Sequence, residues 1–296
     1  MIVVFGSINC DFIFDMPVMP VVGQTLLASG LRIEPGGKGA NQGLAAARDG
    51  ARVAMVGAVG ADVIADTALS GLDSHAIDLS RVVRVEQQTG CTSIFIDDQG
   101  HNLIAVAPGA NMEARASQVD DMLLAEASTF LFQMETDPRQ MAELARRVKM
   151  AGKRSILNLA PAIPVEPAIL SLFDLVVVNE DEAQALGGWL GCTPDCESLS
   201  RRLGTGVLCT LGGNGSQAFA DGRHAFAPAI SVDIIDTSAA GDCYIGVLAA
   251  SLDRGLTLED AMKRASCAAG LACAQRGSQK SIPYAEETTA RLAQTI

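Results

Sequence analysis

Short runs of β-branched and leucine residues recur along the chain, each followed by a longer, alanine-rich stretch with helical spacing of its apolar positions. The runs at 2–8, 52–59, 129–133, 154–159, 175–178 and 206–211 read as strands. The stretches at 38–49, 61–74, 138–151, 180–186, 194–203, 242–254 and 258–275 read as helices. Local punctuation supports several of these. Asp137-Pro138 forms an N-cap and N1 pair, and Gly152 closes that helix. Thr257 to Asp260 resembles a capping box, and Gly50 and Gly255 stand where C′ glycines belong. Alternation of this kind predicts an α/β fold of three layers, a mostly parallel sheet with helices on both faces.

Two regions break the rhythm. Residues 91–106 alternate as two strands around an Asp97-Asp98-Gln99-Gly100 turn, and 11–35 holds extended pieces joined by a Pro/Gly turn. Neither contains a helix. The expectation is one domain over 1–296 with these segments, about 11–35 and 91–106, inserted as a small β-sheet that serves as a lid, a dimer contact, or both.

Composition narrows the function classes. With 49% hydrophobic but only 4% aromatic residues, the chain suits close helix–sheet packing. A net charge of -12 argues against broad nucleic-acid or anionic-membrane binding. A small anionic ligand is still compatible, because a helix N-terminus binds phosphate locally. The eight cysteines have no C-x-x-C pair and the three histidines are scattered, so a zinc site is not expected. No uncharged apolar run is long enough for a membrane span. Abundant cysteine and a strand-like start without a basic leader give a cytoplasmic expectation.

Four stretches could carry chemistry. Glu34–Ala51 places Gly36-Gly37 before a small-residue helix. Its Lys38 is followed by glycine and position 32 is arginine, so the phosphate-loop pattern G-x-x-x-x-G-K-[S/T] fails. A glycine turn open to a polar ligand remains, with Lys38 and Asn41 beside it; small-residue helix packing is the plain alternative. Asn179 and Glu182 stand at the start of a helix, either as a site for hydrated Mg²⁺ or as a mutual capping pair. Residues 209–216 form a glycine loop after a strand, where α/β proteins bind ligands, or a simple turn. Last, Asp236–Asp242 reads DTSAAGD. Small residues at a helix start let the free amides close on a phosphoryl group, and Asp242 lies in the same turn, able to accept a proton from a hydroxyl. Offsetting the helix dipole is its plainer role. A dehydrogenase reading of GAVGAD at 57–62 lacks the full G-x-G-x-x-G pattern.

Over essentially its whole length the chain resembles the PfkB-type, ribokinase-like carbohydrate kinases. GGKGANQ at 36–42 is similar to the first family signature and DTSAAGD at 236–242 to the second. NEDE at 179–182, GSINCD at 6–11, PGAN at 108–111, FQMET at 132–136 and NLAPA at 158–162 extend the likeness. The resemblance implies ATP-dependent phosphorylation of a primary sugar hydroxyl, D-ribose to D-ribose 5-phosphate first among candidates. A nucleoside kinase using an aromatic clamp in the lid (Phe12, Phe14 or Phe95) is the alternative, and a non-catalytic sugar or nucleotide sensor is another.

It also implies roles. Asp242 would be the base, and the amides of Ala239, Ala240 and Gly241 an anion hole. Asn9, Asp11, Gly37, Lys38, Asn41 and Glu135 would contact the sugar. Asn179 and Glu182 would hold Mg²⁺ and phosphates through water, and Thr210, Gly212 and Gly215 would line the nucleotide site. Asp236, with carbonyls of Ser238, Ala272, Gln275 and Gly277 and with Ser281, would hold K⁺. Partners would be the sugar and ATP, with a homodimer through the lid. Cys243-Tyr244-Ile245 replaces the Thr-Phe-Asn usual in the family, and Ala65 and Ala76 replace glycines.

Overall fold

The computed structural model describes residues 1–73, 75 and 77–294, so Ala76 and the end of the helix expected at 61–74 lie outside the described residues. The strands are β1 (Ile2–Phe5), β2 (Asn9–Met16), β3 (Gly30–Gly36), β4 (Val53–Gly60), β5 (Asp78–Val85), β6 (Gly90–Asp97), β7 (Asn102–Ala107), β8 (Thr129–Phe132), β9 (Arg154–Asn158), β10 (Leu175–Asn179), β11 (Gly206–Thr210), β12 (Ser216–Ala220) and β13 (Arg223–Ala227). The helices are α1 (Lys38–Arg48), α2 (Ile64–Asp73), α3 (Asp121–Glu126), α4 (Pro138–Met150), α5 (Pro167–Leu170), α6 (Glu180–Leu190), α7 (Cys196–Leu203), α8 (Ala240–Asp253), α9 (Leu258–Cys273) and α10 (Ala285–Ala293).

Nine strands form one sheet in the order β13-β12-β11-β10-β9-β8-β1-β4-β5, parallel from β11 to β5, with β12 and β13 antiparallel at one edge. Side chains alternate across it. Ile2 and Val4 enter a core shared with α1, α8 and α9, while Val3 and Phe5 enter a second core under α4, α6 and α7. The strand expected over 2–8 ends at Phe5, because the chain turns at 6–8 out of the large sheet and into the small one. A Cβ on Gly6 would stand 2.0 Å from the Gln133 amide oxygen and 2.8 Å from the Gly39 Cα, so only glycine fits this turn. Helix α6 runs past the expected 186 to Leu190 and closes on left-handed Gly191.

The two irregular regions pair with each other into a four-stranded sheet, β3-β2-β6-β7. β2 is antiparallel to β3 and parallel to β6. Period two divides this sheet. Asn9, Asp11, Ile13, Thr92, Ile94, Ile96, Ile104 and Val106 line a cavity, whereas Phe14 and Phe95 stack at 5.2 Å on the other side.

Strand direction sets the site. From β1 the sheet grows one way to β4 and β5 and the other way to β8, β9, β10 and β11, so the order reverses between β1 and β8. Ligands bind beyond the carboxyl ends of strands at such a switch.

Candidate active site

Helix α1 begins at Gly37, whose φ of 92° is left-handed and whose Cβ would meet the Asn9 nitrogen at 2.8 Å. Gly36 gives way to Asp11: a Cβ there would lie 2.0 Å from Asp11 Oδ2. Gly39 lets α1 lie against Gly6 and Ser7, at 2.6 Å for its added Cβ. The glycines of 36–39 thus bring the start of α1 within side-chain reach of β1 and β2. At the end of β8, Glu135 Oε2 accepts from Ser7 Oγ at 2.5 Å and from the Lys38 amide at 3.3 Å. Asn111, buried in the turn after β7, donates to Asn9 Oδ1 at 2.7 Å and accepts from the Ile8 amide at 2.9 Å. Asn9 donates in turn to Thr92 at 3.4 Å.

Helix α8 starts opposite. Ala239 is its N-cap at φ 56°, a left-handed conformation that costs a non-glycine residue about 1 kcal/mol or more and concentrates at functional sites. Gly241 faces open space. The Ala240 N–H closes a turn onto the Thr237 carbonyl at 3.2 Å. In the first turn, Asp242 accepts from Asn41 Nδ2 at 3.0 Å and from Gln42 Nε2 at 2.9 Å. α8 lies so close to α1 that a Cβ on Gly246 would stand 2.3 Å from the Gln42 carbonyl.

Two cavities, each of about 170 Å³, meet here. The first lies under the small sheet and is lined by Asn9, Asp11, Gly37, Lys38, Asn41 and Glu135. The second is lined by Asn179, Glu182, Thr210, Gly241 and Ile245. Lys38, Ala239 and Asp242 belong to both. Gly212 and Gly215 do not line the second cavity; they shape the loop after β11, both with positive φ. Ile245, where the family usually has asparagine, presents an apolar wall to it, and Tyr244 turns away to donate to buried Ser216 at 2.7 Å.

Charge is concentrated at this junction. Burial pushes the Asp11 carboxyl up to about 6, helped by the nearby carboxylates of Glu135, Asp242 and Glu34 and only partly opposed by Thr92. Burial pulls the Lys38 ammonium down, yet Asp242, Glu135, Glu182 and Asp11 outweigh it and leave its pKa above the ordinary lysine value. Burial also raises the Glu182 carboxyl. Asp11 Oδ1 is buried in the first cavity without a hydrogen-bond partner, an exception among buried polar groups.

Asn179 and Glu182 make the capping box in full: Asn179 Oδ1 accepts from the Glu182 amide and Glu182 Oε2 from the Asn179 amide, both at 2.8 Å. Both also face a cavity that Asp181 lines. Among the described residues no cluster of three His, Cys, Asp or Glu side chains could cage a metal. The donor set at the start of α6, an amide oxygen and carboxylates, is of the oxygen type that suits an Mg²⁺ ion keeping most of its waters.

For K⁺ the fit is partial. Asp236 accepts from the amides of Ser238 at 2.9 Å and Gly277 at 3.0 Å, which brings those two loops together. Burial works against its charge, but these hydrogen bonds outweigh it and hold the carboxyl below its usual range. The Ala272 carbonyl accepts from Gln275, and Ser281 donates to the Ser278 carbonyl at 2.9 Å, so these groups are engaged within their own segment.

Sequence reasoning missed Ser7, Gln42, Gln133 and Gln279, the last of which donates from Nε2 to Asn41 Oδ1 at 3.1 Å. Gln42 lies inside the first signature, but nothing local distinguishes an inward glutamine from a solvated one.

An acid in the first turn of a helix, set between a polar cavity under the small sheet and a second cavity at the strand ends, is the arrangement of an α/β phosphotransferase. Residues 1–285 match the pfkB family carbohydrate kinase. The chain is 33% identical over 299 residues to ribokinase of Haemophilus influenzae, covering 96% of each. It is 31% identical over 295 residues to deoxyribokinase of Salmonella typhi, covering 97% of this chain and 96% of that one. The solved structure of Arabidopsis thaliana ribokinase complexed with ribose and ATP superposes with a TM-score of 0.88 at 28% identity, over 98% of each chain. The chain belongs to the PfkB family of carbohydrate kinases, enzymes that transfer a phosphoryl group to an alcohol. No helix among the described residues is long and apolar enough to cross a membrane.

Proposed function

We propose that this kinase transfers the γ-phosphoryl group of ATP to the primary hydroxyl of a free pentose, D-ribose first. The observation that carries the reading is the junction itself: the two cavities share Lys38, Ala239 and Asp242 and little else. The sugar sits under the small sheet against Asn9, Asp11, Gly37, Lys38, Asn41 and Glu135, and the nucleotide runs from Gly241 toward Thr210 and the glycine loop at 212–215. Asp242 takes the hydroxyl proton as the sugar oxygen bonds to the γ-phosphorus and the bond to the β-bridging oxygen breaks, releasing ADP. The amides of Ala239, Ala240 and Gly241 face the charge that builds on the equatorial oxygens, the Ala240 N–H turning from the Thr237 carbonyl to do so. Lys38 adds positive charge between the two substrates. Mg²⁺, when bound through water near Asn179 and Glu182, neutralises phosphate charge. Asp236, Ser238 and Gly277 support a K⁺ site that fixes the loop before α8. The small sheet acts as the lid that excludes water, within one domain spanning the chain.

The inner face of that lid favours a sugar over a nucleoside. It offers Ile13, Ile94, Ile96, Ile104 and Val106, while Phe14 and Phe95 lie on the outer face and Phe12 packs into the core under the main sheet. No aromatic ring lines the sugar cavity among the described residues. The outer face, with Leu31, Ile33 and Leu103 exposed beside the Phe14–Phe95 stack, suits a second copy of the lid.

The test is ADP release over a panel of ribose, deoxyribose, hexoses, ketoses and nucleosides with Mg²⁺ and K⁺. Ribose should give the highest kcat/KM, and a nucleoside ahead of every free sugar would overturn the assignment. Asp242→Asn should lower kcat by about 1000-fold or more with nucleotide affinity nearly unchanged.

A further inference from the structure

Asp242 is held by more than the residues that line the cavities. Gln42 follows Asn41 on α1, is fully buried, and touches neither cavity. Its Nε2 donates to Asp242 Oδ1 at 2.9 Å and to Asn158 Oδ1, at the end of β9, at 3.1 Å. Its Oε1 accepts from Nε2 of Gln133, which follows β8 and is also fully buried, at 2.7 Å. Both hydrogens and one acceptor site of the Gln42 amide are therefore used, in one orientation only. A flipped amide would set its oxygen against the oxygens of Asp242 and Asn158 and its nitrogen against that of Gln133. The Gln133 side chain lies in the slot that Gly6 leaves open, where a Cβ would stand 2.0 Å from its amide oxygen, and that oxygen is buried with no hydrogen-bond partner, so the bond to Gln42 is the polar contact that its amide makes.

We propose that Gln42 is a positioning residue for the Asp242 carboxylate, with Gln133 setting Gln42. Asn41 holds one carboxylate oxygen from the sugar side and Gln42 holds the other from the protein interior. Two adjacent residues of α1 thus fix the rotation of the carboxylate, and the lone pairs that remain face the cavities. A hydrogen bond from a buried amide to a partly buried carboxylate is strong and directional. Gln42 is shielded from both substrates, so its contribution appears in the chemical step and not in substrate binding.

The inference rests on the reading of Asp242 as base, and the experiment separates the two. Gln42→Leu, Gln133→Leu and Asp242→Asn are each compared with wild type for kcat, sugar KM, ATP KM and ATP-analogue affinity by calorimetry, with melting temperature recorded. Gln42→Leu should lose about 10- to 100-fold in kcat while both KM values and the analogue affinity stay within about 3-fold. Gln133→Leu keeps the Gln42 donor but frees its orientation; it should lose less kcat with the same split, and it carries the test if Gln42→Leu does not fold. If Asp242→Asn keeps substantial turnover, the base assignment fails and this inference with it. Should Asp242→Asn be inactive while the folded glutamine variants keep wild-type kcat, the positioning role alone is refuted. That role is equally refuted if kcat and affinity fall together with melting temperature, since that is the signature of structural damage only.

Discussion

Replacing Asp11 by asparagine should weaken the enzyme and stabilise the protein, and pH should separate the two effects. The Asp11 carboxyl is pushed from 3.8 to about 6 by burial and by neighbouring carboxylates. Its folded pKa thus exceeds its unfolded one by about 2 units, worth about 3 kcal/mol. The sign follows from proton binding. Below pH 3.8 both states hold the proton and Asp11 costs nothing; between 3.8 and 6 the unfolded chain loses it first, and stability falls as pH rises; above 6 the full penalty is present. Asp11→Asn removes a charge without changing shape. At pH 7 it should gain up to about 3 kcal/mol, which for a chain of 296 residues is about 5 °C in Tm, and at pH 4 the gain should nearly vanish. Differential scanning calorimetry of both proteins from pH 4 to 8 reads this directly. In assays, sugar KM should rise about 10-fold or more in the variant while ATP KM changes little. In the wild type, sugar KM should rise as pH falls below about 6, and in the variant that dependence should disappear. Parallel melting curves across the whole range would refute the idea that a crowded, desolvated carboxylate lines the cavity under the small sheet.

Two other perturbations test the frame around the site. Gly246→Val inserts a side chain where even a Cβ would lie 2.3 Å from the Gln42 carbonyl, so α8 must lift from α1; overpacking of this kind costs about 1–3 kcal/mol, and kcat should fall well beyond what the lost stability explains. Normal turnover in that variant would separate Asp242 geometry from the helix crossing. Leu31→Glu with Leu103→Glu places charge on the outer face of the small sheet; sedimentation should show a dimer in the wild type and a monomer in the variant, and a wild-type monomer would remove the dimer proposal.

The large sheet was legible in the sequence because its strands are buried on both faces and read as continuous apolar runs separated by capped helices. Elements that the pattern did not announce are those with weaker periodicity. β5 is a charged, half-exposed edge strand, Asp78–Val85, and β13 alternates around Arg223 and His224 at the other edge. The break at 6–8 was hidden because Gly6-Ser7 is so short an interruption, with apolar Ile8 following at once, although the backbone there leaves one sheet for another. The pairing of Asn179 with Glu182 is the capping box that their spacing announces, and both side chains also line the second cavity.

What the sequence could not display was the crossing of α1 and α8. Asn41 and Asp242 are 201 residues apart, and only the small residues on the facing helix surfaces, Gly246 against the Gln42 backbone and Ala45, let the two helices close to hydrogen-bonding range. The two signatures are therefore halves of one structure. The first supplies the glycines that admit Asp11 and the amides that grip the carboxylate; the second supplies the carboxylate and the bare helix start. Neither half accounts for the strain at Ala239 or the unpartnered oxygen of Asp11. Both line the first cavity, which Ala239 joins to the second, and under the proposed reaction a sugar hydroxyl and a phosphate would meet them there.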